Sequence, residues 1–437
     1  MLPETKTVGK YYSRVISGRM PAPGQHPLPK SRARHHPLRP FVDREALLIE
    51  ADRCVKCGLC LPHCPTYLST RDEGDSPRGR IALIQGYVQQ RVDTPRLHRH
   101  LDRCLGCLAC ERACPSGVEY GRLIDAVRAL QPHARRPNSR LRLELISRLP
   151  YMKAMPALLD FYQRSGLRSL AKKVGGHKFR RLDALLPRTT TRSPLQTTPT
   201  SGVTGRVALF TGCVGNIADR PALLALQRLL DRLGFEVVVP REQVCCGALH
   251  QHNGQPAKAR QLAARNRALF DADPVEAILF VASGCGAQLL DYPRLDAALE
   301  APVIEACRFL LRQPGVAALP FAPLEANVLL HTPCSARQLP GGGEAVAELL
   351  GLIPGIAVQR AASSHCCGAA GSYLLTQPEL ADQLREPLVA AAGRAQFDAL
   401  LTSNTGCALH LAAGLHGEGS TLRVMHPLEL LHAQLKE

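Results

Sequence analysis

The sequence predicts an α/β protein in which a cysteine-rich helical region precedes two copies of a parallel-sheet unit. Two cysteine clusters lie 50 residues apart in helix-like sequence within residues 41–135. Beyond a Thr/Pro/Ser segment, strand-like and helix-like stretches alternate, which is typical of a parallel sheet covered by helices. Four cysteines recur there at nearly constant offsets of 121 or 122 residues, which indicates an internal repeat.

The length and composition of the chain are those of a globular protein with two or three domains. It has 437 residues, of which 45% are hydrophobic and only 4% aromatic, so we expect cores built mainly from Leu, Ala and Val. Its 17 cysteines come without an apolar signal segment in the first 40 residues. We therefore expect a cytoplasmic protein whose clustered cysteines serve metal or redox chemistry rather than structural disulfides.

The net charge of +17 is concentrated in two segments. Residues 1–40 carry eight Lys/Arg against one acid, and residues 121–200 carry 17 against four. The first segment lacks periodicity and is expected to be a disordered basic extension. Residues 139–186 predict basic amphipathic helices. They have little aromatic interleaving and no nucleic-acid-binding motif, so an acidic partner or anionic lipid is favoured over nucleic acid, with a solvated face as the alternative.

These features divide the chain into five expected regions. In the first repeat RVALFTGC, FEVVVP and AILFVASGC predict strands, and in the second NVLLHTPC, IAVQR and DALLTSNTGC do so. The cysteines follow these strands, at the sheet edge where open α/β sheets bind ligands. The regions are the extension 1–40, the helical cysteine-cluster domain 41–135, the basic helices and linker 136–205, and the repeats 206–322 and 323–437.

Both N-terminal cysteine clusters have the pattern Cys-x-x-Cys-x-x-Cys-x-x-x-Cys-Pro. This is the run found in two-cluster bacterial ferredoxins, in which three thiolates hold one [4Fe–4S] cluster and the fourth holds the other. Zinc sites usually combine pairs of Cys-x-x-Cys, so zinc is the weaker alternative. We therefore predict an α-helical ferredoxin-type domain with two [4Fe–4S] clusters. The first is assigned to Cys54, Cys57, Cys60 and Cys114, and the second to Cys104, Cys107, Cys110 and Cys64.

Charged and titratable side chains near the cysteines have more than one interpretation. The segment DSPRGRIALIQGYVQQ predicts a helix starting near Pro77, with Arg78 and Arg80 in its first turn. These arginines either balance cluster charge or face solvent. Histidines beside the Cys-Cys pairs could ligate a metal or transfer protons, although packed or surface histidines are more common. They are His250, His252 and His365.

The repeated cysteines are candidate ligands of further metal or iron–sulfur sites. In each copy one cysteine precedes an adjacent pair by 32 positions, and the pair is followed by Gly247 or Gly368. Two adjacent thiolates can bind one metal, and glycine allows a close backbone approach. The alternative is that they are small buried hydrophobic residues, as is expected for the unmatched Cys307. The candidates are Cys213, Cys245, Cys246, Cys285, Cys334, Cys366, Cys367 and Cys407.

Together these residues resemble the family of glycolate oxidase iron–sulfur subunits. The similarity is carried by LDRCLGCLACERACPSGVEY, by PRGRI, by ASGCGA and by HCCGAAGSYLLTQPELADQLR, and it covers roughly residues 45–437. Heterodisulfide reductase relatives end each repeat with Cys-x-x-Cys, where this chain has Ala282 or Asn404 at the first position. The departure argues against a catalytic cluster of that type and fits an oxidase subunit better.

The resemblance implies an electron-transfer subunit of an oxidoreductase with no catalytic residue of its own. FAD on a partner flavoprotein would oxidise glycolate to glyoxylate, and this chain would relay electrons towards a quinone or another membrane acceptor. We expect no turnover by the isolated chain. We expect a cytoplasmic location, with a peripheral contact to the anionic inner face of the inner membrane. The alternatives are an equivalent subunit of a lactate or glycerol-3-phosphate dehydrogenase, or a heterodisulfide-reductase-like thiol/disulfide enzyme.

Overall fold

The computed structural model describes most of the chain beyond its N-terminal segment. The described residues are 43–131, 139–149, 152, 154–187, 195, 204–362, 366–394 and 396–436. The expected basic extension, His365 and most of the Thr/Pro/Ser linker therefore lie outside the described residues.

The first group of helices surrounds the two ferredoxin-type motifs. Ser76 caps the third helix by accepting a hydrogen bond from the N–H of Gly79, and Pro77 is its first residue, as predicted. The apolar faces of these helices meet in a core around Ile84, Leu101 and Leu123. The helices are α1 (Arg44–Asp52), α2 (Pro65–Thr70), α3 (Pro77–Val88), α4 (Pro95–Asp102), α5 (Ala109–Arg112) and α6 (Tyr120–Leu130).

The basic segment forms short helices, which agrees with the helical prediction. Asp183 is buried and pairs with Arg168 and Lys172, at N–O distances of 3.0 and 3.2 Å. Arg181 forms an ion pair with Asp382 of the second repeat, which ties the segment to the rest of the protein. No helix in the described part of the chain is both long and apolar enough to cross a bilayer. The helices are α7 (Ser139–Arg148), α8 (Met155–Arg164), α9 (Leu167–Val174) and α10 (His177–Ala184).

Each repeat forms one parallel sheet, which has four strands among the residues that the structure describes. The strand orders β2-β1-β3-β4 and β6-β5-β7-β8 are equivalent, so the repeats share one topology and the α/β prediction is confirmed. The strands are β1 (Gly205–Phe210), β2 (Phe235–Val238), β3 (Ala277–Phe280), β4 (Val303–Glu305), β5 (Ala326–His331), β6 (Ile356–Arg360), β7 (Ala399–Thr402) and β8 (Arg423–Met425).

The helices between the strands cover both faces of the sheets, as buried parallel strands require. In the first repeat they are α11 (Gly215–Ala218), α12 (Arg220–Arg232), α13 (Ala248–Gln251), α14 (Pro256–Phe270), α15 (Ser283–Leu290) and α16 (Ala306–Leu311). In the second they are α17 (Glu344–Leu350), α18 (Tyr373–Thr376), α19 (Pro378–Arg394), α20 (Thr405–Gly417) and α21 (Pro427–Ala433).

One hydrophobic core is shared by the two repeats. It joins Leu209 and Leu279 of the first sheet to Leu330 and Leu401 of the second. The C-terminal helix α21 packs against α12 of the first repeat. The repeats therefore complete each other's cores rather than standing as independent units.

Candidate iron–sulfur centres

The first assigned set of motif cysteines lines one cavity. Cys54, Cys57, Cys60 and Cys114 border a space of about 430 Å³ beside the start of α3. Gly58 in the first motif has a φ of +86°, a conformation that glycine adopts without strain. This turn allows the loop to curl around the cavity and bring its three thiols to one side.

The second assigned set lines an adjoining cavity. Its volume is about 310 Å³, and Pro77, Cys110 and Tyr120 border both spaces. Cys114, the fourth cysteine of the second motif, borders the first cavity, and Cys64, the fourth cysteine of the first motif, borders the second. Five thiols border the first cavity and four border the second, which is enough in each case for the four ligands of an iron–sulfur cluster. The cysteines that border the second cavity are Cys64, Cys104, Cys107 and Cys110.

A buried arginine lies beside the second cavity. Arg80 is 1% exposed, and its Nη1 lies 3.9 Å from Cys64 Sγ and donates to Thr66 Oγ1 at 3.0 Å. Burial would lower the pKa of Arg80, but surrounding negative groups, first among them Cys104, outweigh it and raise the pKa. Arg80 therefore remains charged, and the charge-balancing interpretation fits it better than a solvent-facing one.

Asp75 holds this arginine in place. Its carboxylate is fully buried and accepts from Arg80 at 3.2 Å, from Arg103 at 3.2 Å and from His100 Nδ1 at 3.0 Å. Such a network satisfies a buried charge that would otherwise be strongly destabilising. The role of Asp75 was missed from the sequence, because its partners lie up to 28 positions away without a recognisable spacing.

Arg78 lies at the first cavity and is partly exposed. Its Nε donates to Glu73 Oε1 at 2.7 Å, and its Nη1 donates to the carbonyl oxygen of Lys56 at 3.3 Å. The hydrogen bond from Arg78 lowers the pKa of Glu73. Arg78 therefore links the start of α3 to the first motif loop.

The four cysteines of the first repeat meet at the carboxyl edge of its sheet. Cys213 follows β1, the pair Cys245 and Cys246 follows β2, and Cys285 lies in the first turn of α15. Neighbouring thiols in that order influence one another's pKa values. The hydrogen bond with Cys245, together with burial, raises the pKa of Cys213. Grouped thiols of this kind can lose their protons and bind one metal as thiolates.

The second repeat brings its four cysteines together in the same way. The Sγ atoms of Cys367 and Cys407 lie 2.7 Å apart, and Cys366 Sγ accepts from the N–H of Gly368 at 3.3 Å. Burial raises the pKa of Cys334 to about 11, and the charge of Cys366 adds to this. The two repeats thus present equivalent candidate sites.

The second ferredoxin-type motif lies against the second repeat. Burial raises the pKa of Cys107, and the nearby thiols of Cys334 and Cys366 raise it further. Gln338 Nε2 donates to the carbonyl oxygen of Cys107 at 3.3 Å, and Leu105 packs against the core of the second repeat. The second cavity is therefore the part of the ferredoxin-type region that approaches a repeat cysteine set.

The two candidate histidines within the described residues, His250 and His252, are both paired with other groups. His250 is buried between Gln255 Oε1 at 3.1 Å and Ser147 Oγ at 3.4 Å. His252 lies 3.1 Å from the carboxylate of Asp125. These contacts support the packed and surface interpretations rather than metal ligation. Cys307 is fully buried in the shared core, as expected.

Comparison with known proteins agrees with this geometry. A family model described as a 4Fe-4S dicluster domain matches residues 50–118, and one described as a cysteine-rich domain matches residues 207–290 and 328–412. These matches support iron–sulfur clusters in the chain.

Three curated relatives cover most of the chain. The glycolate oxidase iron-sulfur subunit of Escherichia coli (strain K12) is 33% identical over 90% of this chain and 97% of that protein. The probable glycolate oxidase iron-sulfur subunit of Bacillus subtilis (strain 168) is 31% identical, over 86% and 92%. One subunit of a heterodisulfide reductase of Methanosarcina barkeri is 25% identical, over 90% and 97%. The chain belongs to the family of glycolate oxidase iron–sulfur subunits.

Proposed function

We propose that this chain is the electron-transfer subunit of a glycolate dehydrogenase complex. The observation that carries the proposal is the pair of adjoining cavities, each bordered by the four cysteines of one crossed ligand set. Each set would hold one [4Fe–4S] cluster, a group that transfers single electrons. Adjacent clusters could then accept, one at a time, the electrons that a two-electron donor releases.

The donor in this proposal is an FAD-containing partner subunit that oxidises glycolate to glyoxylate, and the acceptor is a quinone or another membrane carrier. Among the described residues, the two cavities are bordered by thiol groups and by the cationic side chains of Arg78 and Arg80. Arg80 would balance part of the negative charge of the second cluster. Cys104 Sγ accepts hydrogen bonds from the N–H of Gly106, at 3.4 Å, and from the Tyr120 hydroxyl, at 3.7 Å. These bonds would favour the reduced state of the second cluster.

We further propose that the eight repeat cysteines bind additional iron–sulfur or metal centres. Support comes from the two equivalent clusters of thiols at the carboxyl edges of the sheets.

The division into 1–40, 41–135, 136–205, 206–322 and 323–437 is retained as the working domain organisation. Electrons leaving the second ferredoxin-type set would reach the second repeat first, because Cys107 approaches Cys334 and Cys366.

Iron and acid-labile sulfide in the anaerobically purified chain test the cofactor content. About 8 irons per chain are expected if only the two ferredoxin-type sets are filled, and about 16 if the repeats also hold clusters. Absence of iron after strict exclusion of oxygen would reject the proposal. Values near 8 would reject only additional iron–sulfur centres in the repeats.

Reconstitution tests the subunit role. The isolated chain should not reduce a dye with glycolate, and addition of the FAD-containing partner subunits should restore glycolate-dependent electron transfer to a quinone analogue. Lactate and glycerol 3-phosphate are assayed in parallel, so that a preference for either would replace glycolate as substrate. Turnover by the isolated chain would contradict the proposal.

We propose that the helical surface formed by residues 155–184 contacts an anionic membrane. Phe161 of α8 and Leu170 and Val174 of α9 are largely exposed, and the exposed Lys173 immediately precedes Val174. Exposed apolar side chains next to cations match the chemistry of an anionic lipid interface. The cytoplasmic face of the inner membrane would supply that interface.

Vesicle flotation tests this contact. The chain should float with phosphatidylglycerol vesicles but not with phosphatidylcholine vesicles, and added salt should weaken binding. Phe161→Glu should reduce flotation, whereas Ile49→Glu, at an exposed position of α1, should not. Equal flotation with both lipids, or equal loss in both variants, would reject the proposed surface.

A further inference from the structure

The loops of the two ferredoxin-type motifs have the same backbone conformation at two key positions. Lys56 and Gly58 in the first loop have φ values of +57° and +86°. Gly106 and Leu108, at the equivalent positions of the second loop, have values of +65° and +55°. Such values are uncommon for residues other than glycine, so their recurrence indicates that both loops curl around their cavities in the same way. The two loops can therefore be compared position by position.

The second loop is covered by the second repeat. Leu105, which follows the first cysteine of this loop, packs against the core of that repeat. Gln338 of the repeat donates to the carbonyl oxygen of Cys107 at 3.3 Å. Because Gln338 lies four positions after Cys334, the region that covers the loop also carries a candidate ligand of the next centre. Protein contact and the approach of two cysteine sets therefore coincide at this loop.

The first loop exposes the equivalent positions to solvent. Val55, the counterpart of Leu105, is 70% exposed, and Leu59 is 57% exposed. Cys57, the counterpart of Cys107, is the one exposed cysteine among the 17 of the chain, all of which the structure describes. Apolar side chains exposed on both sides of a candidate cluster ligand favour a docking surface over a solvated loop.

The surface of the first loop is positively charged. Residues 53–63 contain cationic side chains but neither Asp nor Glu. Arg53 is paired with Glu50 at 3.3 Å, whereas Lys56 is exposed and forms no ion pair with a described residue. Lys56 also has a positive φ where the second loop has Gly106, which costs backbone strain. An unpaired cation at a position that favours glycine indicates a partner surface of negative charge.

The contacts of the second cysteine set identify the first loop as the side on which electrons enter. Pro77 and Cys110 border both cavities, so the two cysteine sets adjoin. The second set meets the second repeat, and the Arg181–Asp382 ion pair ties that repeat to the basic helices proposed to contact the membrane. An acceptor in the membrane would therefore be reached through the second repeat, which leaves the first loop for the donor.

We propose that the loop of residues 54–60 is the docking surface for the FAD-containing partner subunit, with Val55 and Leu59 in the apolar contact and Lys56 against acidic side chains of that subunit. The inference rests on the proposed function, which supplies this donor. Two electrons leave the reduced flavin one at a time, each reduces the first cluster by one electron, and the two protons of the flavin are released on the partner. Cys57, as the exposed ligand, lies at the point of entry.

Calorimetric binding of the anaerobically purified full chain to the FAD-containing partner subunits tests the inference. Val55→Glu places a charge in the apolar contact and should weaken binding roughly tenfold or more. Lys56→Gly copies the residue of the second loop and removes the cation without straining the backbone, so binding should weaken and depend less on salt. Both variants should keep the wild-type iron content. Leu141→Glu is the matched control and should bind as the wild type does, because Leu141 is 61% exposed in α7 and borders neither cavity.

Photo-cross-linking identifies what contacts the loop. The photoreactive residue p-benzoylphenylalanine at position 55 should cross-link the chain to the FAD-containing subunit, and the same residue at position 141 should not. Cross-links from position 55 to residues 1–40 of the same chain would mean that the chain covers this loop itself. Cross-links between two copies of the chain would mean self-association. Either product, or no cross-link to the partner, would overturn the inference.

The outcomes separate this inference from the proposed function. Wild-type clusters that glycolate does not reduce in the presence of the partner subunits would reject the proposed function, and this inference with it. Glycolate-dependent reduction of the wild type, together with unchanged binding in Val55→Glu and Lys56→Gly, would overturn the inference alone. Loss of iron in both variants would also overturn it, because these side chains would then serve to hold the cluster rather than to dock a partner.

Discussion

Asn404 of the second repeat accepts a hydrogen bond from the N–H of Gly284 in the first repeat, with 3.0 Å between Oδ1 and N. Its Nδ2 donates to Cys407 Sγ at 3.3 Å. Gly284 immediately precedes Cys285 of the first repeat. The Asn404 carboxamide therefore connects Cys407 of the second repeat to the backbone beside Cys285, the equivalent cysteine of the first. Asn404 also occupies one of the two positions at which the chain departs from the Cys-x-x-Cys pattern.

Replacement of Asn404 should weaken the contact between the repeats. Asn404→Ala removes both hydrogen bonds, and we expect a loss of about 1–3 kcal/mol in the free energy of unfolding, because polar partners are left unsatisfied. Asn404→Asp retains an acceptor for Gly284 and removes the donor to Cys407, so it separates the two contributions. Chemical denaturation under anaerobic conditions measures both. Wild-type stability in Asn404→Ala would show that the bridge contributes nothing.

The crossed ligand assignment makes a direct prediction for single serine variants. Cys114→Ser should remove the same EPR signal as Cys57→Ser, because both residues border the first cavity. Cys64→Ser should instead behave like Cys107→Ser. Cys307→Ala, in the core of the repeats, should leave both signals intact. Pairing of Cys114→Ser with Cys107→Ser would show that each motif serves one cluster alone.

Removing the buried cation should be strongly destabilising. Arg80→Met leaves the Asp75 carboxylate without one of its three partners, and we expect a loss of about 3–5 kcal/mol in the free energy of unfolding. Arg96→Met is the control, because Arg96 is 77% exposed and its ion pair with Asp72 is long, at 3.7 Å. Exposed pairs of this kind contribute little to stability. Adding Asp75→Asn to Arg80→Met should recover part of the loss. Similar stability of the two arginine variants would contradict the proposed charge network.

His426 should make stability depend on pH. It caps α21 and lies 3.1 Å from the carbonyl oxygen of Val281, and burial lowers its pKa to about 4 from the usual 6.5. The unfolded chain therefore binds the proton more readily, and stability present above pH 6.5 is lost as the pH falls towards 4. At pH 5.5 the expected loss is roughly 1.4 kcal/mol relative to neutral pH.

His426→Asn isolates this contribution, because Asn can still cap the helix but does not titrate. Denaturation at pH 7.5 and 5.5 should show a smaller pH-dependent loss in the variant, by roughly 1.4 kcal/mol. Asp219, whose pKa burial raises to about 7, changes stability in the opposite direction but is present in both proteins. Parallel curves for the two proteins would show that His426 does not control this dependence.

The parts of the site that could be predicted from sequence are those encoded by spacing. Cysteines at intervals of three residues, starting at Cys54 and at Cys104, identify the two motifs. The offset of 121 residues from Cys213 to Cys334, shared by the following cysteine pair, identifies the repeat. The strand segments were correct because each is a short apolar run followed by turn residues. Cys285 and Cys407, however, lie on the helices that follow their strands rather than at strand ends.

The contacts that surround the thiols could not be derived in this way. Arg80 was recognised as a candidate, but its burial depends on Asp75 and on the backbone of His100, which no local pattern joins. Gln338 is far along the chain from Cys107, and only the docking of the second repeat allows its side chain to donate to the Cys107 carbonyl oxygen. Interactions of this range depend on tertiary packing rather than on propensity or periodicity.

The packing of α21 on α12 has a consequence for synthesis of the protein. The apolar side of α12, with Leu223, Leu226 and Leu230, emerges from the ribosome some two hundred residues before its covering helix. Until α21 has also emerged, the nascent first repeat must keep this surface exposed to solvent or to a chaperone. Premature stop codons shortly before α21 would yield chains marked for proteolysis rather than partly active subunits.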